Sequence, residues 1–355
     1  MDSFLYFCTL EEIKSNKEDN MAGLYEQIIN QLFKAKLEKY DRKIYHIGMK
    51  EIGRDEAIQY LSRYLYALIQ STIDDVAQQE NGVEKCIQFT NDVIKELGEK
   101  FAIENYEDDL VDASNSILTS VIDKTKCDYP DLQKYIQRIT PLTSLTKSSL
   151  FTGAKNSVNM ISELKKEILS ADKIYIVVSF IRLSGLNMML PELQEFVARG
   201  GCLRVITTTY MQITEYKAVE KLSKLAHTEI KISYHSDLDR LHAKAYVFMR
   251  DSGFHTAYIG SSNISHAALT EGLEWNVKVT QMELPHIFAT IKNTFDTYWE
   301  QDVFETFNLN RDSERLKKAL DKNAQTSEGI DYSVLDLMQA KEYQNDILDR
   351  LEKER

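Results

Sequence analysis

Proline is scarce in this chain, with four in 355 residues and none before Pro130. Nothing in the first third forces a break in helical periodicity. Cysteine is equally sparse. Cys8, Cys86, Cys127 and Cys202 are scattered, with no C-x-x-C pair, which argues against a zinc site and a disulfide framework and fits a reducing cytosol. No apolar run approaches the roughly 20 residues of a membrane span. The apolar start Phe4-Leu-Tyr-Phe-Cys8 is too short for a signal peptide and follows an Asp, so a cytoplasmic protein without a membrane partner is expected. No G-x-x-x-x-G-K-[ST] occurs, so ATP hydrolysis is not expected from these residues. No metal or other cofactor is expected either.

Positive charge is also lacking. The net charge is −12, which sits poorly with a nucleic-acid partner until it is divided along the chain. Residues 151–300 carry 16 Lys and Arg against 16 Asp and Glu, and the rest carries 27 against 39. The whole deficit lies outside that segment. Within it, Lys155, Lys165, Lys166, Arg182, Arg204, Lys244 and Arg250 are candidates for a phosphate track, each weighed against a plain solvated charge.

The pattern along the chain divides it into four parts. Residues 1–130 read as a helical bundle domain. Stripes at Leu24, Ile28, Leu32 and Leu37, at Ala57, Leu61, Leu65 and Ile69, at Ile87, Val93 and Leu97, and at Ile117, Leu118, Val121 and Ile122 predict four or more helices. Residues 131–150 mix Pro, Ser and Thr and read as a linker. From 151 to 300 strand-like runs (173–180, 203–209, 229–234) alternate with helical ones (157–171, 187–199, 214–226). Three further strands (243–249, 256–260, 273–279) and a helix near 283–299 follow. That alternation predicts an α/β domain, a mixed sheet flanked by helices. Residues 301–355 read as a helical extension.

The chemistry concentrates in one place. His242-Ala-Lys244 is followed, sixteen residues after the lysine, by Gly260-Ser-Ser-Asn263. The strand-forming residues between them, interrupted by Arg250-Asp-Ser-Gly253, predict a hairpin. Folded symmetrically about Ser252-Gly253, it sets His242 opposite Asn263 and Lys244 opposite Ser261, with cross-strand Cβ atoms roughly 4.5–5.5 Å apart. A neutral imidazole can attack phosphorus and split one hard displacement into two easier ones. Lys244 and Asn263 can hold the non-bridging oxygens as charge builds, and Ser261 and backbone N–H groups near Gly260 can add donors. Strand ends in open α/β sheets favour ligands, which adds Thr208 and Tyr210 as candidates for the groove. Arg182, just past the first strand, and Arg240, two residues before His242, complete the substrate-binding candidates.

These residues resemble the phospholipase D superfamily, whose signature is His-x-Lys, an Asp five residues after the Lys, then Gly-Ser-x-Asn. Residues 140–153, 177–186, 203–211, 240–248 and 256–280 resemble the phospholipase D-like nuclease module that precedes a superfamily 2 helicase in bacterial proteins. Residues 341–348 resemble the stretch just before that helicase's nucleotide-binding loop. The resemblance implies DNA as partner, a helicase domain fused at the C-terminus, and a role in DNA repair or phage defence. The sequence is then a truncated piece of such a protein or a stand-alone relative. Met249 stands where the family has Asp, and Asp251, nine residues from His242 at ~3.3 Å each, is too far to replace it. Glu274 lies where several such nucleases keep a Glu. It is either the carboxylate that orients the imidazole or an exposed strand residue. The family reaction uses two histidines, and no second His-x-Lys occurs here. The resemblance therefore implies a homodimer joined through this domain. The expected activity is a metal-independent phosphodiesterase acting on DNA, with His242, Lys244, Asn263, Ser261 and Glu274 as its site. The rivals are a nucleic-acid-binding or protein-interaction module without catalysis.

Overall fold

The computed structural model describes residues 23–112, 114, 116–123, 131–153, 158–234, 241–270 and 272–321. The chain divides into two compact units, Met1–Val121 and Ile122–Arg355.

The first unit is helical. Its helices are α1 (Gln31–Leu37), α2 (Arg54–Ala77) and α3 (Gly82–Phe101), followed by a 3₁₀ turn at Tyr106–Asp109. The stripes at 57–69 and 87–97 lie on α2 and α3. The first stripe is helical only from residue 31, because the Asn30 side chain accepts from Phe33 N–H and caps the helix there. The stretch 117–122 is not helical. Six residues, four of them apolar, offer too few backbone bonds to offset nucleation. Among the described residues of this unit only Gly82 and Gly98 are buried, so its apolar side chains remain largely in solvent.

The second unit holds an eight-stranded mixed sheet. Its elements in chain order are α4 (Leu132–Ile139), β1 (Ser149–Phe151), α5 (Met160–Ser170), β2 (Lys173–Val177), α6 (Leu183–Ala198), β3 (Cys202–Thr208) and a 3₁₀ turn at Tyr210–Gln212. Then come α7 (Tyr216–Ser223), β4 (Thr228–Ser233), β5 (Ala245–Met249), β6 (Thr256–Gly260), α8 (His266–Thr270), β7 (Asn276–Thr280), α9 (Pro285–Glu300), β8 (Glu305–Thr306) and α10 (Leu309–Leu320). The strand order is β1-β7-β6-β5-β2-β3-β4-β8. The pairs β2–β3 and β3–β4 are parallel and the others antiparallel. The expected sheet of six strands thus gains an edge strand at each end. Residues 131–150, expected as a linker, contribute α4 and most of β1. Residues 301–321 contribute β8 and α10, whose Leu316 lies in the core with Phe307.

Side chains alternate across each strand, so the sheet has two distinct faces. One packs Tyr246, Phe248 and Tyr258 against α5, α6, α7, α8 and α10. The other packs Val177, Ile206, Val247 and Val279 beneath a single helix, α9, through Phe288, Phe295 and Trp299. The first face also holds a fully enclosed charge cluster. Glu167 pairs with Arg250 and, at 2.9 Å, with Lys278, which also reaches Glu163 at 3.0 Å. Tyr258 donates to both carboxylates and Thr256 to Glu167. Glu163 also accepts from Leu142 and Thr143 N–H, which ties the segment after α4 to α5. Burial alone raises the Glu167 carboxyl, but the two cations outweigh it and hold the group at about 2.

Candidate active site

Three neighbouring strand ends build the site. The chain reaches β5 through His242 and Lys244, leaves β6 through Gly260 to Asn263, and begins β7 after Glu274 and Trp275. The β5–β6 register differs from the symmetric fold by one residue. Tyr246 pairs with Tyr258, and Gly260 N–H donates to Lys244 O at 3.2 Å, so Lys244 lies opposite Gly260 rather than Ser261. The turn explains this. Gly253 N–H bonds Arg250 O, and His255 N–H then bonds Gly253 O, a second and tighter turn that gives the loop an odd number of residues.

Asn263 is carried to the end of β2, beside the start of β5, because the chain after Gly260 bends across to it. Its Oδ1 accepts from Ser179 N–H at 2.9 Å and Phe180 N–H at 3.3 Å. Arg182 N–H donates to Ile264 O, and Ile181 bridges Ile264. With Oδ1 engaged, the amide's outward capacity is the Nδ2 donor. Gly185 permits the close approach, since a Cβ there would lie 2.5 Å from Ser265 N. Gly260 does the same at β7, where a Cβ would lie 2.0 Å from Trp275 O. Asn276 and Tyr246 fasten the loop from below. Asn276 Nδ2 donates to Ser262 Oγ at 2.8 Å, and Tyr246 Oη donates to Ser262 O at 3.0 Å. The sequence reading missed both positioning residues. The polar Asn in a strand-forming run was the signal for Asn276.

The His242 ring is exposed, while Lys244 is 5% exposed. The ammonium lies 3.0 Å from His242 Nδ1 and donates to His242 O at 2.6 Å. An ammonium only donates, so Nδ1 accepts and a neutral ring carries its proton on Nε2. Partial burial and then the Lys244 charge push the His242 pKa down, favouring neutral imidazole. Burial also lowers Lys244, against a pull upward from the Glu274 carboxylate. Glu274 therefore faces this cluster electrostatically, while the ring nitrogen's neighbour is the lysine.

The remaining candidates differ in availability. Ser261 is exposed, and its Oγ accepts from Trp275 N–H at 3.1 Å. The N–H groups expected as extra donors are engaged: Gly260 with Lys244 O, and Ser261 with Trp275 O. Thr208 is buried, and its Oγ1 accepts from Tyr210 N–H to close the 3₁₀ turn, while Tyr210 is half-buried. Arg182 is exposed beside the Asn263 loop, its guanidinium 5.9 Å from the Phe180 ring. Arg240, Lys155 and the 341–348 tail lie outside the described residues. The phosphate track does not form as a unit. Arg250 is buried on Glu167, Arg204 pairs with Glu229 and covers Trp299, Lys165 pairs with Glu192, and Lys166 bonds Arg138 O. Among the described residues no three or more His, Cys, Asp or Glu side chains are grouped to hold a metal.

Residues 164–299 match the family model for the cardiolipin synthase, PLD-like domain, a span that contains every element of this site. The chain contains a phospholipase D-like domain. Among solved structures it is similar to NucT from Helicobacter pylori, at 17% identity and a TM-score of 0.37, over 45% of this chain and 99% of that one. It is also similar to Nuc, a phospholipase D family member from Salmonella typhimurium, at 17% identity and a TM-score of 0.35, over 46% and 99%. A third similarity is to phosphatidylserine synthase from Haemophilus influenzae, at 12% identity and a TM-score of 0.34, over 51% and 45%. No curated protein matches the chain. No helix among the described residues is long and apolar enough to cross a membrane.

Proposed function

We propose that the phospholipase D-like domain is a metal-independent phosphodiesterase acting on DNA through a phosphohistidine on His242. The observation that carries the reading is an exposed imidazole, biased toward its neutral form, sharing one strand end with a nearly buried ammonium and an oriented amide. Without phosphate, Lys244 caps Nδ1. A phosphate anion draws the ammonium to its non-bridging oxygens and frees Nδ1. The ring proton then moves to Nδ1, where Glu274 stabilises it, and Nε2 is left with its lone pair. The Nε2–P bond forms and the P–O bond to the leaving group breaks. The His242 of a second protomer in the proposed homodimer, which enters the step as imidazolium, gives a proton to the leaving oxygen and becomes neutral. It then takes a proton from water, whose oxygen displaces His242 from phosphorus. Lys244 and Asn263 Nδ2 bear on the charge that builds in both steps.

DNA is favoured over lipid because the site lies open at the sheet rim beside the exposed Arg182, and because of the sequence resemblance to helicase-linked nucleases. A fused helicase, a cytoplasmic location and a role in repair or phage defence are part of the same proposal. In this reading residues 1–130 serve as a helical module, 151–300 as the nuclease, and 301–355 as an extension toward the helicase. A second reading, a nucleic-acid-binding module without catalysis, is favoured by the lysine at Nδ1 and by Met249 in place of the family's Asp. Cleavage of labelled DNA in EDTA by the wild type, lost in His242→Ala while DNA binding persists, supports the enzyme. Binding without cleavage by the wild type, with or without a helicase supplied, decides for the second reading.

A further inference from the structure

After β2 the chain runs Val178-Ser179-Phe180-Ile181. Val178 and Ile181 are fully buried in the core, and Ser179 is nearly so. Phe180 is half-buried and belongs to none of the three apolar clusters of the described residues. A phenylalanine beyond a central strand ordinarily joins the core, because burying its ring is the largest gain it can make. Here the ring instead meets the exposed Arg182 guanidinium, 5.9 Å from its centroid. Phe180 also stands at the site. Its N–H donates to Asn263 Oδ1 at 3.3 Å, so the amide whose Nδ2 is proposed to grip phosphate is joined to Phe180 on its other side. Extended by three residues, the β2–β5 register of Val177 with Ala245 sets Phe180 opposite His242.

Charge decides what this corner can hold. A non-specific grip on a duplex rests on many phosphate contacts. Of the described cations weighed for a phosphate track, Arg182 alone has its charged group on neither a carboxylate nor a backbone carbonyl. The whole chain carries a net charge of −12. One free guanidinium and one nearly buried ammonium are too little to hold a duplex. Stacking of a base on an aromatic ring needs no charge and contributes roughly 5- to 150-fold in affinity per base. A base inside a duplex has both faces against its neighbours, so the base that stacks on protein is one outside a duplex.

We infer that the Phe180 ring and the Arg182 guanidinium form a shelf for an unpaired nucleobase next to the scissile phosphate. The inference rests on the phosphodiesterase reading and narrows its substrate to a single strand or a frayed end. The base lies on the ring face, and the guanidinium, planar and already beside the ring, takes the neighbouring phosphate. Phe180 touches the base and not the reacting atoms. It is a positioning residue that selects the strand and sets how its phosphate lies, while His242, Lys244 and Asn263 act on the phosphate itself.

The test uses the full chain with Phe180→Leu, which keeps the apolar bulk and removes the π face, and Phe180→Trp, which restores it. The probes, equal in length, are labelled oligothymidylate, the same strand annealed to oligodeoxyadenylate, and a strand of abasic deoxyribose phosphates. Fluorescence anisotropy in a His242→Ala background reads binding without turnover. Melting temperature reads folding, and cleavage by proteins with His242 intact reads kcat and KM. Phe180→Leu should weaken oligothymidylate binding at least about tenfold and leave the duplex and the abasic strand within about twofold, at an unchanged melting temperature. Phe180→Trp should recover the loss. Arg182→Ala should weaken oligothymidylate and the abasic strand alike and lower the salt slope by about one. Equal losses on all probes in Phe180→Leu, no loss on oligothymidylate, or a lower melting temperature each overturn the inference, as does a wild type that binds no strand. Ring-dependent binding of oligothymidylate with no cleavage by any protein leaves the shelf standing and refutes the phosphodiesterase reading. Cleavage by wild type and Phe180→Leu with equal KM does the reverse.

Discussion

Replacing Glu167 by Gln leaves Arg250 and Lys278 in the core without their shared counter-charge. Glu167 and Lys278 are fully buried and Arg250 is 5% exposed, so water cannot take the carboxylate's place. A carboxyl held at about 2 rather than 4.5 contributes about 3 kcal/mol at neutral pH. Breaking a buried pair from one side costs about 3–5 kcal/mol, which agrees. We expect Glu167→Gln to destabilise the second unit by about 3 kcal/mol, which lowers its melting temperature by roughly 6–12 °C. Urea unfolding followed by fluorescence at pH 7 reads the loss. The sign with pH is fixed. A depressed carboxyl contributes fully above 4.5, and its contribution falls away as the pH drops toward about 2, so wild-type stability declines through that window. The variant should lack this decline. Substituting Met for both Glu167 and Arg250 should cost less than the two single changes added together, because the second change removes a charge the first left unpaired. A Glu167→Gln protein within about 1 kcal/mol of wild type, with the acid decline intact, refutes the reasoning.

Three further outcomes follow from the site. Lys244→Met should lower kcat by about 10²–10³-fold while leaving the melting temperature nearly unchanged, and an equal loss from both would mean the lysine only supports the fold. The pH profile of kcat/KM should rise through an apparent pKa below 6.5, because burial and the Lys244 charge depress His242. The same variant should move that limb up toward 6.5, and an unmoved limb would detach it from His242. Gly185→Ala should cost about 1–3 kcal/mol and displace the Asn263 loop, since the added methyl meets Ser265 N. Full activity in that variant would show the loop's seat on α6 to be immaterial.

Much of the second unit was legible from residues alone. Period-two runs with turn residues between them located β2 to β7 to within a few positions, because strand formers and Gly-rich breaks agree there. The edge strands β1 and β8 were not legible. Three and two residues are too few to show a period, and their pairing depends on β7 and β4 arriving from far away in sequence. The candidate site was legible in its neighbourhood, since Lys244 lies against His242 and Asn263 is bonded to the backbone just past β2, the strand that pairs with β5. Its internal bonding was not. A single extra residue in the 250–255 turn shifted the register, and Asn263 is aimed by backbone amides at Ser179 and Phe180, some 84 positions away. Arg250 shows the same limit. Its sequence position suggested a phosphate contact, and only the fold reveals Glu167 beside it. In the first unit, helical periodicity foretold α2 and α3. It could not foretell that their apolar sides would stay exposed among the described residues.

The most direct test of the central claim is chemical. Wild-type protein is mixed with end-labelled DNA in EDTA, quenched with base during turnover, and digested for mass spectrometry of the peptide carrying His242. A phosphoryl–DNA adduct on His242 that is stable in base, labile in acid and absent from His242→Ala is expected. Turnover without that adduct, or undiminished cleavage by His242→Ala, would contradict that claim.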